Sequence, residues 1–411
     1  MTTADGSASY AADVARLLWP PPWAAPCVTR GRTGDAADRN AYLFPSSRRP
    51  RLLVPVDVPG SARMLDRLGP DSLVSRPVRG ALERSVRSGV LGLTPWPVLR
   101  VSATDPDADS IERHLSACLG TAVRVGVMLG TRRANQKPVL PVFEVHGGRL
   151  LAYAKVGHNE LTRRLVDQEA RALLRLADHE LRHFRVPAVL HHGPWAGLQV
   201  LAVSPLASDR DRVVTAGART AATWELSHLG GVSCAPLTES TFWRRLHEAI
   251  GALPARPDRD HLGAAAHAVA ADHGTDRVRL GGWHGDWGHW NMGMSGSVVD
   301  VWDWERYEPD VPLGFDGLHF AAQLVRPGER DQRRQEQQFF ASVPELLVDL
   351  GIPTADHELT LRLYLLHIGV RYADALRHGS TPALVRRTAW VLAQLDRLGE
   401  TARPVSTKGI S

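Results

Sequence analysis

The densest group of chemically competent side chains lies in Trp283-His284-Gly285-Asp286-Trp287-Gly288-His289-Trp290-Asn291 and, a little further on, in Val299-Asp300-Val301-Trp302-Asp303-Trp304-Glu305. Each stretch adjoins a short β pattern, so Asp286 and Asp303 are expected in loops that strands deliver. Phosphoryl transfer asks little covalent chemistry of a protein. A carboxylate must orient the attacking hydroxyl, and cations held on oxygen ligands must neutralise the phosphates. Asp286 suits the first task. Asn291 and Asp303 suit the second, because Mg²⁺ takes hard oxygen donors from one or two side chains and leaves the rest of its shell to phosphate and water. The same string also contains His284, Asp286 and His289 in an H-x-D-x-x-H pattern, which could bind zinc in a metal-dependent hydrolase. That alternative leaves Asn291 without a task.

Glu169 is the second informative position. It falls four residues after Leu165, four before Leu173 and seven before Leu176, so a helix capped by Asn159 and running to about Ala177 carries this carboxylate on its apolar stripe. A buried carboxylate needs a cationic partner. Lys155, at the end of the preceding strand pattern, is the best placed. Among 49 Lys and Arg residues only Lys137, Lys155 and Lys408 are lysine. Where arginine is the default cation, a lysine in an ordered segment marks a task for a compact point charge. Paired with Glu169, the Lys155 ammonium would stand at the mouth of a small antiparallel sheet, within reach of phosphates.

The elements that must position these groups follow from periodicity. Strands are expected over Val123–Leu129, Val139–Val145 and Arg149–Val156, the last two joined by the turn His146-Gly147-Gly148, and again near Ala188–His191 and Gln199–Val203, the latter ending in Ser204-Pro205-Leu206. From Ser240 onward the pattern is mainly helical, interrupted by β segments at Val278–Trp283 and Ser297–Trp302. The expected organisation is an irregular lead-in over 1–45, where Trp19-Pro20-Pro21-Pro22-Trp23 breaks any regular element, a separate α/β extension over 46–118, a five-stranded small lobe over 119–206, a helical lobe over 207–400 and a tail over 401–411.

In these residues the chain resembles the aminoglycoside phosphotransferase and choline kinase family, small-molecule kinases with a fold similar to protein kinases. His284-Gly285-Asp286 with Asn291 matches the family's catalytic loop and Asp303-Trp304-Glu305 its metal-binding segment, while Lys155 and Glu169 fall on the small-lobe lysine and its helix glutamate. The resemblance implies an α+β fold of two lobes, with ATP or GTP and Mg²⁺ as cofactors. It implies Asp286 as catalytic base or orienting group, Asn291 and Asp303 as Mg²⁺ ligands, Lys155 on the α and β phosphates, Ser204 and Leu206 near the nucleotide at the hinge, and His284 and Asp316 as supports of the catalytic loop. The expected acceptor is a small molecule bearing a hydroxyl, such as an antibiotic, a sugar or an amino alcohol. A non-catalytic nucleotide- or ligand-binding relative is the alternative. The stretch Leu129–Pro138, with Arg132, Arg133 and Lys137, departs from a G-x-G-x-x-G phosphate loop.

Composition narrows the partners. The net charge of +5 comes with acidic residues interleaved nearly everywhere, unlike the clustered basic and aromatic face of a nucleic-acid binder. No apolar run reaches membrane-spanning length, and the first residues lack a secretory pattern, so a cytoplasmic protein is expected. Cys27, Cys118 and Cys234 lie far apart in sequence and read as reduced thiols without metal-ligand spacing. Trp287, Trp290, Trp302 and Trp304 surround the Asp286–Asp303 region in sequence and could stack on a sugar ring or a cation. Asp356, Glu358, His367 and Asp374 are further candidates for an acceptor pocket.

Overall fold

The computed structural model describes residues 4–31, 35, 37–67, 76–103, 105, 107–130, 136–208 and 212–401. Two compact units divide the chain, one drawn from Met1–Leu174 with Pro187–Leu206, the other from Arg175–Val186 with Ala207–Ser411. The first is built on an antiparallel sheet and the second is mainly helical, so the fold is α+β.

The first unit contains α1 (Ala4–Leu18), β1 (Cys27–Arg30), β2 (Arg39–Phe44), β3 (Leu52–Pro55), α2 (Arg76–Arg87), β4 (Pro97–Val101), α3 (Ile111–Leu119), β5 (Val123–Val125), β6 (Val127–Met128), β7 (Val139–Glu144), β8 (Leu150–Gly157) and all but the last turn of α4 (Glu160–Ala177). After β9 (Phe184–Arg185), which belongs to the other unit, come β10 (Val189–Trp195) and β11 (Leu198–Val203). The sheet runs in the order β1-β4-β2-β3-β6-β7-β8-β11-β10, with β5 also paired to β7.

This order corrects the expectation of a separate unit over 46–118. Leu52 and Leu53 of β3 pair with Met128 and Val127 of β6, so the N-terminal strands continue the sheet rather than forming a second one. Alternation explains why both faces stay dry. Leu43 and Leu53 join one apolar cluster with Ala11, Val14, Ala15 and Leu18 of α1, while Tyr42, Phe44, Leu52 and Val54 join another on the opposite face. The expected irregular lead-in over 1–45 is likewise corrected, since α1 lays an apolar stripe on the sheet and β1 and β2 pair with β4. Glu112 of α3, almost fully buried, accepts from Arg39 of β2, from Arg124 at 3.4 Å and from the Val125 amide at 3.2 Å, tying the N-terminal elements to β5. Of the residues flagged in the stretch after Leu129, Arg132 and Arg133 lie outside the described residues, as does Lys408.

Local signals held around β8 and α4. Gly147 and Gly148 take positive φ in the β7–β8 turn, and the Asn159 side chain accepts from the Thr162 amide at 2.9 Å as the N-cap of α4. The expected single strand over Val123–Leu129 is split at Gly126, where a Cβ would meet Met64 Sδ at 2.3 Å.

The second unit adds α5 (Ala216–His228), β12 (Ser233–Pro236), α6 (Thr241–Ala252), α7 (Pro257–His273), β13 (Arg277–Trp283), β14 (Met292–Ser295), β15 (Val298–Val301), β16 (Glu308–Pro312), α8 (Phe315–Gln323), α9 (Gln332–Asp349), α10 (His357–His378) and α11 (Pro382–Thr401). Two three-stranded sheets, β12-β13-β16 and β14-β15-β9, interrupt the helices. α10 is buried along most of its length and carries Leu363, Tyr364, Leu365, Leu366 and Ile368 into one core with α6, α7, α8 and α11. Among the described residues no helix is long and apolar enough to cross a membrane.

Candidate active site

In the first unit Lys155 sits on β8 between Val139 of β7 and Leu201 of β11. Its Nζ lies 2.7 Å from both carboxylate oxygens of Glu169 on α4. Glu169 is 2% exposed. With both its oxygens on one ammonium, the carboxylate meets the requirement that burial imposes on a charge. Ser204 closes the end of β11 reciprocally: its amide donates to the Ala188 carbonyl at 2.8 Å and its hydroxyl accepts from the Ala188 amide at 2.9 Å. Leu206 is the last residue of this unit.

In the second unit β13 ends at Trp283 and the chain turns sharply. Gly285 has φ +83°, and a Cβ there would meet the Arg306 carbonyl at 2.4 Å, so glycine is required between His284 and Asp286. Asp316, in the first turn of α8, braces this turn. Its carboxylate accepts from the His284 amide at 2.7 Å and the Gly285 amide at 3.2 Å. His284 is fully buried, with Nδ1 accepting from the Asp286 amide at 3.1 Å and Nε2 3.1 Å from the Trp302 carbonyl. Backbone and imidazole together fix where Asp286 emerges.

Asp286 keeps 30% of its side chain exposed, so a substrate can reach it. Its Oδ2 accepts from the Asn291 amide nitrogen at 2.9 Å and lies 3.4 Å from the Trp290 indole nitrogen, while Oδ1 lies 3.6 Å from His319 Nε2. Burial pushes its carboxyl up, but the adjoining His319 imidazole, the Arg371 charge and His284 outweigh that push and hold it well below the usual carboxylate range. Asp286 is therefore an ionised acceptor at neutral pH.

Asn291 also donates to the Asp286 carbonyl at 3.0 Å, so its amide nitrogen serves Asp286 twice and the amide oxygen remains as its acceptor. It stands immediately before β14, and Asp303 stands just past β15, the partner strand, with the Trp302 amide donating to the Asn291 carbonyl at 3.1 Å. Asp303 adopts φ +72°, a backbone state asparagine and aspartate tolerate best among non-glycine residues. An amide oxygen and a carboxylate at the open end of one hairpin are hard-oxygen donors of the kind Mg²⁺ takes.

Sequence reasoning missed two supports of Asp286. His319 is fully buried and, because burial disfavours its charged form, its pKa falls to about 4. Arg371 of α10 donates to the Gly285 carbonyl. Both had a signal: His319 lies three residues after Asp316 and Arg371 four after His367, each pair on one helix face. Burial outweighs the two amide hydrogen bonds and the Arg371 charge and pushes Asp316 itself up to about 7.

Other candidates sort differently. Trp287 and Trp304 are fully buried core residues, whereas Trp290 is 43% exposed beside Asp286 and Trp302 is half-buried. His367 packs among Trp283, Phe242 and Phe315 in the core and is not offered to a ligand, whereas Asp374 is half-exposed and pairs with Arg377 at 3.1 Å. His284, Asp286 and His289 do not converge as a metal cluster among the described residues. Both His284 nitrogens are engaged, which removes the zinc hydrolase alternative.

No protein-family model matches the sequence, and no curated relative does. Solved structures similar to the chain include a thermostable mutant of aminoglycoside phosphotransferase APH(4)-Ia, at 16% identity and TM-score 0.45 over 72% of this chain and 100% of that one. That phosphotransferase has also been crystallised as a ternary complex with ADP and hygromycin B. The choline kinase LicA from Streptococcus pneumoniae is similar at 13% identity and TM-score 0.44, over 70% of this chain and 98% of that one. A putative fructosamine-3-kinase from Haemophilus somnus 129PT is similar at 13% identity and TM-score 0.42, over 69% and 96%.

Proposed function

We propose that the chain is a small-molecule kinase, allied to the aminoglycoside phosphotransferases and choline kinases, that transfers the γ-phosphate of a nucleoside triphosphate, ATP by preference, to a hydroxyl of a small acceptor. The observation that carries this reading is Asp286: an ionised, partly exposed carboxylate held by Asn291 and the braced His284–Gly285 turn.

A carboxylate held so far below its usual range is a weak base. Asp286 therefore orients the acceptor hydroxyl for in-line attack and receives its proton late, when the oxygen has become acidic. Asn291 and Asp303 would hold Mg²⁺, which supplies charge neutralisation of the phosphates. Lys155, fixed by Glu169, is the compact cation for the α and β phosphates, and the Ser204–Leu206 segment would lie by the nucleotide base. The exposed Trp290 offers a face for the ring or cation of the acceptor. The test is a screen of hydroxylated antibiotics, sugars and amino alcohols for acceptor-dependent ADP release, with the phosphorylated product identified by mass. Release that needs both a divalent cation and one acceptor class supports the reading. No acceptor-dependent release across all three classes opposes it.

A further inference from the structure

Cys118 reads in sequence as an isolated thiol, yet α3 and β10 bring it together with His114 and His191. His114 and Cys118 are four residues apart on one face of α3. His191 follows a register shift in β10, the last strand of the sheet, and such an irregularity re-aims a side chain. His114 Nε2 lies 3.1 Å from His191 Nε2 and 3.7 Å from Cys118 Sγ.

These separations match a ligand polyhedron. With metal bonds of about 2.05 Å to nitrogen and about 2.3 Å to sulfur, a tetrahedral zinc site has N···N edges of ~3.3 Å and N···S edges of ~3.6 Å. His114 Nε2 offers a single hydrogen-bonding position, so a hydrogen bond accounts for its 3.1 Å contact with His191 or its 3.7 Å contact with Cys118, but not for both at once. The rings are also held in place: His114 stacks on Trp195 at 5.8 Å, and the Trp195 indole donates to Asp109 at 2.9 Å, one residue before the α3 N-cap. All three side chains are half-exposed, which gives an ion a way in and leaves a fourth position for water.

We propose that His114, Cys118 and His191 form a binding site for a divalent transition metal of the zinc class, separate from the Asp286 loop, that clips α3 to the edge strand β10. Binding joins the metal to both Nε2 atoms and to the Cys118 thiolate, and the thiol proton leaves to solvent. The clip would cover an edge strand that otherwise presents unpaired backbone groups. It also gives the N-terminal elements a task that the kinase reading does not assign them.

The test uses the untagged full chain with Cys27→Ser and Cys234→Ser, both exposed positions, so that Cys118 is the sole thiol. The protein is stripped with chelator, its unfolding midpoint is recorded, and it is titrated with Co²⁺ and then Zn²⁺. Expected are one Co²⁺ per chain, a near-ultraviolet thiolate-to-cobalt band that Zn²⁺ bleaches, and an unfolding midpoint that rises with Zn²⁺. Cys118→Ser abolishes the band, and His191→Ala or His114→Gln weakens binding at least about tenfold. Absence of one-to-one binding overturns the proposal. So does a band that survives Cys118→Ser, or affinity unchanged in both histidine variants.

Discussion

Glu169 in the sheet unit and Asp316 in the helical unit are carboxylates of nearly equal burial, 2% and 3% exposed, but they are satisfied in different ways. Glu169 has both oxygens 2.7 Å from one full positive charge, the Lys155 ammonium. Asp316 instead accepts from two backbone amides, at 2.7 and 3.2 Å. An ion pair fixes two side chains relative to each other. An amide brace fixes the main chain itself, and the main chain here is the turn that presents Asp286. At Asp316 burial outweighs these two amide hydrogen bonds and lifts the carboxyl to about 7.

Breaking the ion pair should have the largest effect on stability. Lys155→Ala leaves Glu169 buried without its ammonium and should cost about 3 to 5 kcal/mol, read as a shift in the urea midpoint at constant slope. The double variant Lys155→Met with Glu169→Leu should recover much of that loss, because no uncompensated charge remains. Failure of the double variant to recover would mean that the pair is not the element that matters there.

The next effect concerns His319, the buried partner of Asp286. Its folded pKa of about 4 lies below the unfolded 6.5, so between these values the unfolded chain binds a proton that the folded chain does not. Stability from this group is complete above pH 6.5 and is lost as pH falls, by up to about 3 kcal/mol at pH 4. Wild type minus His319→Gln should show that slope, and a flat difference would contradict it.

Near pH 4, where the folded carboxyl is protonated, Asp316→Asn should have the smallest effect on stability, about 1 to 2 kcal/mol, since the amide oxygen still accepts from one of the two main-chain donors. Its pH signature has the opposite sign to that of His319. The folded carboxyl is raised, so wild-type stability relative to Asp316→Asn should fall as pH rises from about 4 to about 7. Acceptor turnover should fall in this variant while nucleotide binding is retained, because the brace acts on the turn that carries Asp286.

Much of the helical unit's site was legible because its groups lie in two short stretches, where a glycine between His284 and Asp286 and the hairpin linking Asn291 to Asp303 are local features. Lys155 and Glu169 were legible for a different reason: each breaks a pattern, one in composition and the other in periodicity. The extension of the sheet was not legible. β6 is only two residues long, and its pairing with β3 joins positions far apart in sequence, which no local period encodes. His319, Arg371 and the His114–Cys118–His191 group escaped for a related reason, since each acts across elements distant in the chain. Of the four tryptophans near the loop, only packing could separate Trp290, exposed, from Trp287 and Trp304, which build the core.

The central claim is that Asp286 orients an acceptor hydroxyl for phosphoryl transfer, and its most direct test compares wild type with Asp286→Asn for formation of phosphorylated acceptor at saturating nucleotide, with nucleotide affinity measured alongside. The account predicts a loss of turnover of at least about 10²-fold with affinity for the nucleotide preserved. Equal turnover in the two proteins would contradict it.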